Sequence, residues 1–271
     1  MSEQDQIDRT LNPITTESLF DDLQNLGLKH GDTVIVHSSL SALGWVNGGA
    51  VAVIKALLTT VGSDGNVCMP AHSSNITDPA NWSNPPIPKS WIQTIRDTMP
   101  VFEPEITPTR DMGRIAELFR TWPKVVRSHH PFASFCAIGP SAKEITEEQV
   151  LDDPFGEQSP LAKLYQLSAK VLLIGVDFNR CTALHLAESR AFPNSNKEKE
   201  GVPIINNGIR EWFEFDIPEF MDVDKFIPIG KKLIDSKHDE RKKVGEAYGI
   251  LIDMQLLVDH AVSTWTHSSH D

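Results

Sequence analysis

The pattern of apolar and polar positions along the chain is typical of a fold that alternates helices with short buried strands. Leucines spaced by four and three residues predict a helix over 15–26. Thr15 or Thr16 can cap this helix, and Gly27 can end it. The apolar run over 33–36 then predicts a buried strand. This alternation favours an α/β fold class, with a mixed central sheet flanked by helices.

The same patterns place further elements along the rest of the chain. They predict helices over 50–58, 91–99, 113–119 and 182–191, helical segments within 233–260, and strands over 67–69, 132–138 and 171–176. The segment Asn206-Asn-Gly208 predicts a hairpin turn. Eight prolines between residues 70 and 108 predict an excursion that is either a plain surface loop or a wall over a cleft.

The domain organisation follows from what the sequence lacks. It contains no internal repeat and no low-complexity linker, so we expect one compact domain over residues 1–271. The polar residues 1–12 and the His- and Ser-rich residues 264–271 are expected to be flexible ends of this domain.

Charge narrows the range of partners. The chain carries 25 Lys and Arg against 37 Asp and Glu, which gives a formal net charge of −12. Such a balance repels phosphate backbones, so nucleic acid is not an expected partner. An acidic cleft would instead concentrate a cationic small molecule such as an amine, although solubility alone is the more common reason for such a charge. The sequence does not fix the oligomeric state, and a homodimer is compatible with it.

Cysteine usage and the N-terminal composition indicate a reducing compartment. The three cysteines, Cys68, Cys136 and Cys181, are widely scattered, which does not suit a disulfide framework or a structural zinc site. The first residues are acidic and polar, unlike a secretory signal, and no apolar run reaches the roughly 18 residues that a membrane span needs. We therefore expect a cytoplasmic protein with no membrane partner.

His185 and Glu188 form the first candidate pair for chemistry. They are three residues apart in the predicted helix over 182–191, a spacing that puts both side chains on one face. A carboxylate beside an imidazole raises its basicity and fixes its tautomer, which suits a general base. This helix follows a predicted strand whose end carries Asp177, and strand ends in α/β folds commonly bind ligands. By spacing alone, a solvated pair on a helix surface is the more common explanation.

A second candidate site is the turn His37-Ser-Ser-Leu-Ser41, which follows the first predicted strand and precedes a glycine-rich loop. Hydroxyls and backbone N–H groups at such a turn can hold a phosphate or a pantetheine amide. The structural alternative is a serine-rich turn in which backbone groups satisfy His37. Ser38 or Ser39 would also serve as the nucleophile of an esterase or amidase. No Gly-x-Ser-x-Gly elbow surrounds them, so hydrolase chemistry is the lesser alternative.

Polar residues in the middle of the chain are candidates for anion and substrate binding. In Arg127-Ser-His-His-Pro131, an arginine beside a serine hydroxyl can fork onto a phosphate, or else form a structural ion pair. Thr109 and Gly113 lie where N–H groups would open a predicted helix. His72 and Asp78 lie in the proline-rich excursion, where they either contact substrate or are ordinary loop polarity.

Three common motifs are absent from the sequence. It has no Gly-x-x-x-x-Gly-Lys-[Ser/Thr] loop, no His-Glu-x-x-His pair and no strand-linked Gly-x-Gly-x-x-Gly. A P-loop nucleotide enzyme, a zinc hydrolase of that type and a dinucleotide-binding fold are therefore unsupported.

Taken in order, several segments resemble the aminoglycoside 3-N-acetyltransferase family. The matching segments are Val36-His-Ser-Ser-Leu-Ser41, Gly44-Trp-Val-Asn-Gly-Gly49, Thr107-Pro-Thr-Arg-Asp-Met-Gly113, Arg127-Ser-His-His-Pro131 with Ser134-Phe135, Gly156-Glu-Gln-Ser-Pro160 with Leu164-Tyr165, and Leu184-His-Leu-Ala-Glu188. They cover roughly residues 30–190. Each segment is modest, but six in sequence make the resemblance specific.

The resemblance implies an aminoglycoside 3-N-acetyltransferase-like fold, distinct from the histone-type acetyltransferase fold. It also implies acetyl-CoA as donor, an amine of an aminoglycoside or related amino sugar as acceptor, and no metal. Carried over by position, His185 and Glu188 are the catalytic pair. The coenzyme site would comprise Ser38, Ser39, Leu40, Thr109, Gly113, Arg127, Ser128 and Phe135.

The chemistry of amide formation agrees with this assignment. An amine is protonated near neutral pH, so it must lose a proton before it attacks a thioester, and His185 would take that proton in a ternary complex. The acceptor site is expected to include His72, Asp78 and Asp177, with Glu157 as a further acidic candidate. A coenzyme-binding relative without turnover remains an alternative at this point.

Overall fold

A computed structural model describes residues 2–237 and 241–268, and a seven-stranded mixed sheet forms its centre. In chain order the strands are β1 (Thr33–Ser38), β2 (Asn66–Pro70), β3 (Val126–Arg127), β4 (Phe135–Ile138), β5 (Lys170–Ile174), β6 (Lys197–Asn206), β7 (Ile209–Pro218), β8 (Lys242–Val244) and β9 (Ala247–Asp253). The central sheet has the order β3-β4-β2-β1-β5-β9-β8, whereas β6 and β7 form a separate hairpin. The predicted α/β class with a mixed sheet is confirmed.

Helices cover both faces of this sheet. They are α1 (Glu3–Arg9), α2 (Thr16–Leu26), α3 (Gly49–Val61), α4 (Ile92–Thr98), α5 (Gly113–Arg120), α6 (Ala142–Glu147), α7 (Pro160–Gln166), α8 (Ala183–Ala191), α9 (Phe226–Lys237) and α10 (Met254–Ser268). One buried core unites α2, α3 and α5, and the other unites α6 to α10. In the described part of the chain, none of these helices has the length and apolar character that crossing a membrane requires.

The direction of the strands determines where a ligand can bind. Strands β2, β1 and β5 are neighbours and run parallel, so their carboxyl ends meet at one edge of the sheet. Strand β9 then pairs with β5 in the antiparallel direction. In open α/β sheets, ligands bind outside the carboxyl ends of the parallel strands. We therefore expect a ligand-binding site at the loops that follow β1, β2 and β5.

Local sequence signals predict several elements correctly. Helix α2 begins after Thr15, whose hydroxyl accepts a hydrogen bond from the Ser18 N–H, and it ends at Gly27 in the left-handed conformation. The turn between β6 and β7 consists of Asn207 and Gly208, both with positive φ, as a type I′ hairpin requires. In both cases a short-range backbone requirement selects the residue type.

The expected flexible N-terminal segment, 1–12, contains a helix in the structure. A capping box joins Ser2 and Asp5 at the start of α1. The Arg9 guanidinium donates to the Ser41 carbonyl, and Trp45 Nε1 donates to Glu3. Because these contacts lie outside the local sequence, a polar composition does not reveal them. At the other end, residues up to 268 belong to α10, and residues 269–271 of the expected flexible end lie outside the described residues.

The predicted helical segments within 233–260 are present as the end of α9 and the start of α10, but the hairpin β8–β9 between them is not predicted. Strand β9 is a largely apolar run of seven residues, a length at which periodicity cannot separate a buried strand from a helix. Pairing of residues 249–253 with β5 decides the outcome in favour of a strand.

Gly175 provides a test of how tightly the chain packs where β5 ends. Its φ is +65°, and a Cβ atom there would lie 2.4 Å from the Cβ of Ala42. We expect Gly175→Ala to lower the free energy of unfolding by about 2–4 kcal/mol, because a steric clash adds to the cost of a left-handed backbone.

The matched control is Gly208, whose φ is +80° and which has no atom within 4 Å of an added Cβ. Gly208→Ala should therefore cost only about 1–2 kcal/mol, the backbone contribution alone. Urea unfolding of both variants measures the difference. Equal losses would contradict the steric account of Gly175.

Candidate active site

A cavity of about 980 Å³ opens at the carboxyl edge of the parallel strands. Its wall consists of the turn after β1, the start of α5 and the segment 175–182 after β5. Five of the predicted site residues line it, namely Ser38, Ser39, Leu40, Gly113 and Asp177. Its volume lies at the upper end of the range of ligand pockets, about 300–1,000 Å³.

The N-terminus of α5 faces this cavity. Gly113 and Arg114 line it, and the N-cap residue Met112 makes no side-chain capping hydrogen bond. Gly113 has a φ of +83°, and a Cβ atom there would lie 3.9 Å from the Ser38 carbonyl oxygen. The first N–H groups of a helix lack partners within the helix and carry partial positive charge, so they favour an anion.

Arginine side chains add positive charge at the same cavity. Arg114 and Arg180 line it and are solvent-exposed, in a chain whose net charge is −12. The sequence does not predict a role for Arg180, because nothing near it indicates that the loop after β5 lies close to the start of α5. Together with the helix terminus, these arginines make part of the wall suitable for phosphate groups.

His185 and Glu188 lie on α8, which begins one short turn after β5. His185 Nδ1 is 2.8 Å from Glu188 Oε2, and Glu188 Oε1 accepts a hydrogen bond of 2.5 Å from the Met221 N–H. Glu188 is buried, with 7% of its surface exposed. With a carboxylate as acceptor, Nδ1 carries the proton and Nε2 keeps its lone pair. The expected pairing of the two residues is therefore present in the geometry that a general base needs.

Aromatic rings surround the His185 imidazole. Phe155 stacks on it at 4.8 Å between ring centroids with an interplanar angle of 16°. Phe220 and Phe226 contact it edge-on, at 5.4 Å and 5.0 Å. Apolar neighbours limit the rotation of the ring and lower the local dielectric, so the Glu188 hydrogen bond is stronger than it would be in water.

A second, smaller cavity of about 130 Å³ lies at the other end of α8. Glu188 and Phe220 line it together with Asp152, Asp153 and Glu219, and Lys197 is the cationic side chain in the same wall. Burial, and next the nearby Asp152, raise the pKa of Asp153. The wall of this second cavity is therefore acidic.

Arg127, which is predicted to bind the coenzyme, does not line the large cavity. Its guanidinium is buried and donates to the Ser134 and Ser73 hydroxyls and to three backbone carbonyls, those of Ala71, Pro104 and Thr107. All of its nitrogen atoms are occupied by the protein. Arg127 thus ties the proline-rich excursion to the sheet, a structural role.

Three further predicted coenzyme ligands also lie away from the cavity. The Ser128 hydroxyl is fully buried between the Phe135 N–H and Gln149 Oε1. Phe135 is itself fully buried in the core on the α8 side of the sheet. The Thr109 N–H donates to Glu117 Oε2, and Thr109 does not line the cavity. Ser128 and Thr109 thus form hydrogen bonds within the protein, and Phe135 packs in the core.

The three predicted acceptor residues occupy different environments. Asp78 is buried, and Arg96 forks onto it with hydrogen bonds of 3.0 Å and 2.5 Å, so its charge is already paired within the protein. Asp177 lines the large cavity, caps the next turn and lies 3.4 Å from Lys231. His72 lies near His185, because the His72 ring contacts Phe155 at 5.6 Å and Phe155 stacks on His185.

Two histidines at this edge, the buried His37 and the half-buried His72, have a ring nitrogen without a partner in the described residues. Nε2 of His37 and Nε2 of His72 are buried and make no hydrogen bond within the described residues. Burial lowers the pKa of both imidazoles to about 3, so both stay neutral at physiological pH. His37 lines the large cavity. The structural alternative, in which backbone groups satisfy His37, therefore does not hold for its Nε2 within the described residues.

Metal ligation finds no support in the described part of the chain. Across residues 2–237 and 241–268, no three His, Cys, Asp or Glu side chains come together as ligands of one ion would. The polar groups of the site are instead a histidine–carboxylate pair, free backbone N–H groups and isolated imidazoles.

Comparison with known proteins identifies the family of this chain. The sequence profile described as aminoglycoside 3-N-acetyltransferase matches residues 35–266. The chain is 44% identical over 256 residues to the SPbeta prophage-derived aminoglycoside N(3′)-acetyltransferase-like protein YokD of Bacillus subtilis (strain 168), covering 94% of this chain and 93% of that protein. It is 33% identical over 278 residues to aminoglycoside N(3)-acetyltransferase IX of Micromonospora chalcea, covering 97% of each.

Solved structures show the same fold. The crystal structure of YokD superposes with a TM-score of 0.94 at 42% identity, covering 99% of each chain. A structure of AAC-IIIb, binary with CoASH, superposes with a TM-score of 0.82 at 30% identity, covering 95% of this chain and 98% of that chain. The chain belongs to the aminoglycoside 3-N-acetyltransferase family. The resemblance of the sequence segments and the predicted acyltransferase class are thereby confirmed.

Proposed function

We propose that this protein transfers the acetyl group of acetyl-CoA to an amine of an aminoglycoside or a related amino sugar. The observation that carries the proposal is the position of His185 on α8. One end of this helix adjoins the large cavity, which Thr182 lines, and Glu188 lines the acidic cavity toward its other end. His185 lies between them, so a base with a free Nε2 is available where a donor and an acceptor would meet.

The large cavity suits the coenzyme. Its volume is sufficient for a ligand of that size, and its wall contains the uncapped start of α5 with Arg114 and Arg180. Negatively charged phosphates are favoured at both features. Ser38, Ser39 and Leu40 are then placed to contact the pantetheine arm, as the resemblance implies. The AAC-IIIb structure with CoASH supports the choice of coenzyme.

The acidic cavity suits the acceptor. Asp152, Asp153 and Glu219 line it beside Glu188, and a polyamine sugar would be attracted to such a cluster. This replaces the predicted acceptor residue Asp78, which Arg96 neutralises. Aromatic Phe220 in the same wall provides an apolar surface for a sugar ring.

The proposed reaction is a direct transfer with His185 as the base. The amine first loses its ammonium proton to solvent. The nitrogen of the neutral amine then forms a bond to the acetyl carbonyl carbon, and His185 Nε2 accepts the further proton that this nitrogen loses. The carbon–sulfur bond breaks with its electron pair on sulfur, and His185 returns the proton to that sulfur. Glu188 holds Nδ1–H throughout and stabilises the transient imidazolium. The products are the N-acetylated amine and the free thiol, and the imidazole ends neutral.

The geometry does not favour a serine hydrolase. Ser39 Oγ contacts Ser41 Oγ at 3.2 Å, and no hydrogen bond joins Ser38 or Ser39 to an imidazole in the described residues. A nucleophilic serine needs a base within hydrogen-bonding distance. Transfer in a ternary complex requires no such nucleophile.

Neutralising the acidic cavity tests where the acceptor binds. We expect Asp152→Asn/Asp153→Asn to raise the KM for an aminoglycoside about tenfold, the factor that about 1.4 kcal/mol of lost attraction gives. The KM for acetyl-CoA should stay unchanged, because Arg114 and the α5 terminus lie at the other cavity. Steady-state kinetics with product detection by mass spectrometry provides both constants.

A matched control for this charge change is Asp64→Asn, an exposed carboxylate at the amino end of β2. It should leave both KM values unaltered. If the double variant also left the aminoglycoside KM unchanged at low salt, the assignment of the acidic cavity would be wrong.

A further inference from the structure

His37 and His72 lie on the same face of the sheet as the catalytic helix. Strands β1 and β2 pair with Ile35 opposite Cys68, and both of these side chains belong to the core that includes α8. Because side chains alternate along a strand, His37 projects from the same face as Ile35. His72 follows β2 and packs its ring against Phe155, a member of that core. The two imidazoles therefore stand at the ends of neighbouring strands, toward α8.

The imidazole of His185 completes this group. Phe155 stacks on the His185 ring and also contacts the His72 ring, so one phenyl group separates the base from His72. The charges of His185 and His37 both contribute to the lowered pKa of His72, after the larger effect of burial. Of these three imidazoles, His37 lines the large cavity, whereas His72 and His185 both contact Phe155.

The unpartnered nitrogens distinguish His37 and His72 from an ordinary buried histidine. Only 8% of the surface of His37 is exposed, yet its Nε2 has no partner in the described residues. His130, also buried, accepts a hydrogen bond from the Ala133 N–H at Nδ1 and has the Leu151 carbonyl near Nε2. A buried polar atom without a partner costs about 1–3 kcal/mol. One such atom on His37, which lines the large cavity, and a second on His72 beside Phe155 therefore indicate that a polar group binds there.

We propose that His37 and His72 donate Nε2–H hydrogen bonds to the carbonyl oxygen of the donor's acetyl group. This inference rests on the proposed function and names the residues that hold the reacting carbonyl. Both imidazoles are neutral near pH 7. A neutral imidazole has one N–H group, and this group can donate one hydrogen bond. As the amine nitrogen bonds to the carbonyl carbon, negative charge develops on this oxygen, and fixed donors in a dry site stabilise it.

Proton transfer and stabilisation of the oxygen thus belong to different residues around the acetyl carbonyl carbon. His185 Nε2 takes the proton of the amine, while His37 and His72 keep their protons and only share them with the oxygen. When the carbon–sulfur bond breaks, the charge leaves the oxygen and the two hydrogen bonds return to ground-state strength. No additional reactant is needed, and the proton count of the transfer is unchanged.

Binding without turnover tests this inference on the full chain. Acetyl-CoA and S-ethyl-CoA differ in the carbonyl oxygen and have the same length, and calorimetry without an acceptor amine measures the affinity for each. We expect the wild-type protein to bind acetyl-CoA about tenfold more tightly, the discrimination that one or two hydrogen bonds give. His37→Leu and His72→Leu should each reduce this preference severalfold, with the affinity for S-ethyl-CoA unchanged.

Two further variants separate a specific role from a general loss of structure. His37→Gln retains an N–H donor near the position of Nε2, so it should restore part of the preference and of kcat relative to His37→Leu. His260→Leu is the matched control, because His260 Nε2 is also buried without a partner in the described residues but lies on α10, outside the cavity. It should leave the preference intact.

The outcomes are distinct for the two proposals. Equal preference for acetyl-CoA in the wild type and in both leucine variants would overturn the role of His37 and His72 and leave the donor assignment standing. Failure of the wild type to bind either coenzyme would overturn the proposed function, and this inference with it.

Discussion

Replacement of His185 by alanine is expected to lower kcat for acetyl transfer by about 10²- to 10⁴-fold, the range typical of general-base catalysis. An amine must lose protons during the transfer, and His185 Nε2 combines a fixed lone pair with a position between the two cavities. The ring is held by Glu188 and by stacking on Phe155, so water entering the vacated space cannot reproduce its orientation.

The affinity for acetyl-CoA should change little in the same variant. His185 does not line the large cavity, whose wall comes from the β1 turn, α5 and the loop after β5. Thermal unfolding shows whether the variant is folded, and His129→Ala, at an exposed position, serves as the histidine control. Near-normal turnover by a folded His185→Ala protein would show that another group removes the proton.

Glu188→Gln is expected to have the second largest effect, a loss in kcat of about 10²-fold or more. The carboxylate accepts two hydrogen bonds, from His185 Nδ1 and from the Met221 N–H. The side-chain amide of this variant would have one oxygen in place of two. Either His185 Nδ1–H or the Met221 N–H would therefore face the amide NH2 group instead of an acceptor. If the oxygen stays with Met221, the amide N–H bonds to Nδ1 and selects the tautomer with the proton on Nε2, which cannot act as a base. A wrong tautomer of this kind costs about 10⁴-fold in serine proteases.

The opposite orientation of the amide would also be unfavourable. It would place an amide N–H against the buried Met221 N–H and leave that backbone donor unsatisfied, at a cost of about 1–3 kcal/mol. Glu211→Gln, on the exposed part of β7, is the control for the loss of one charge. The kcat of both variants, with nitrogen-15 spectra of the imidazole, distinguishes the tautomers. A Glu188→Gln variant with kcat within threefold of the wild type would contradict the orienting role.

The sequence predicts the elements that depend on contacts between residues close together in the chain. The cap at Thr15, the left-handed Gly27 and the Asn207-Gly208 turn each satisfy a backbone requirement within a few residues. Strand β9 is missed because its apolar run fits either class, and pairing with β5 decides between them. Helix α1 depends on contacts with Ser41 and Trp45, far away in the sequence.

The candidate site divides in the same way. The sequence predicts the pairing of His185 and Glu188, because a spacing of three residues on one helix brings the two side chains together. For Arg127 and Asp78, charge suggests a ligand, whereas the structure shows protein partners from distant segments. These partners are carbonyls and hydroxyls for Arg127, and Arg96 for Asp78. The acidic cavity joins the loop around Asp153 to the end of β7, a meeting that no short-range spacing indicates.

The most direct test of the central claim is the release of free thiol from acetyl-CoA, with and without a panel of aminoglycosides and simple amines. We predict release that depends on an aminoglycoside and that His185→Ala abolishes. Release that depends on a different amine would keep the mechanism and replace the acceptor. Absence of any amine-dependent release, by a protein that calorimetry shows to bind the coenzyme, would contradict the claim that this chain is an active acetyltransferase.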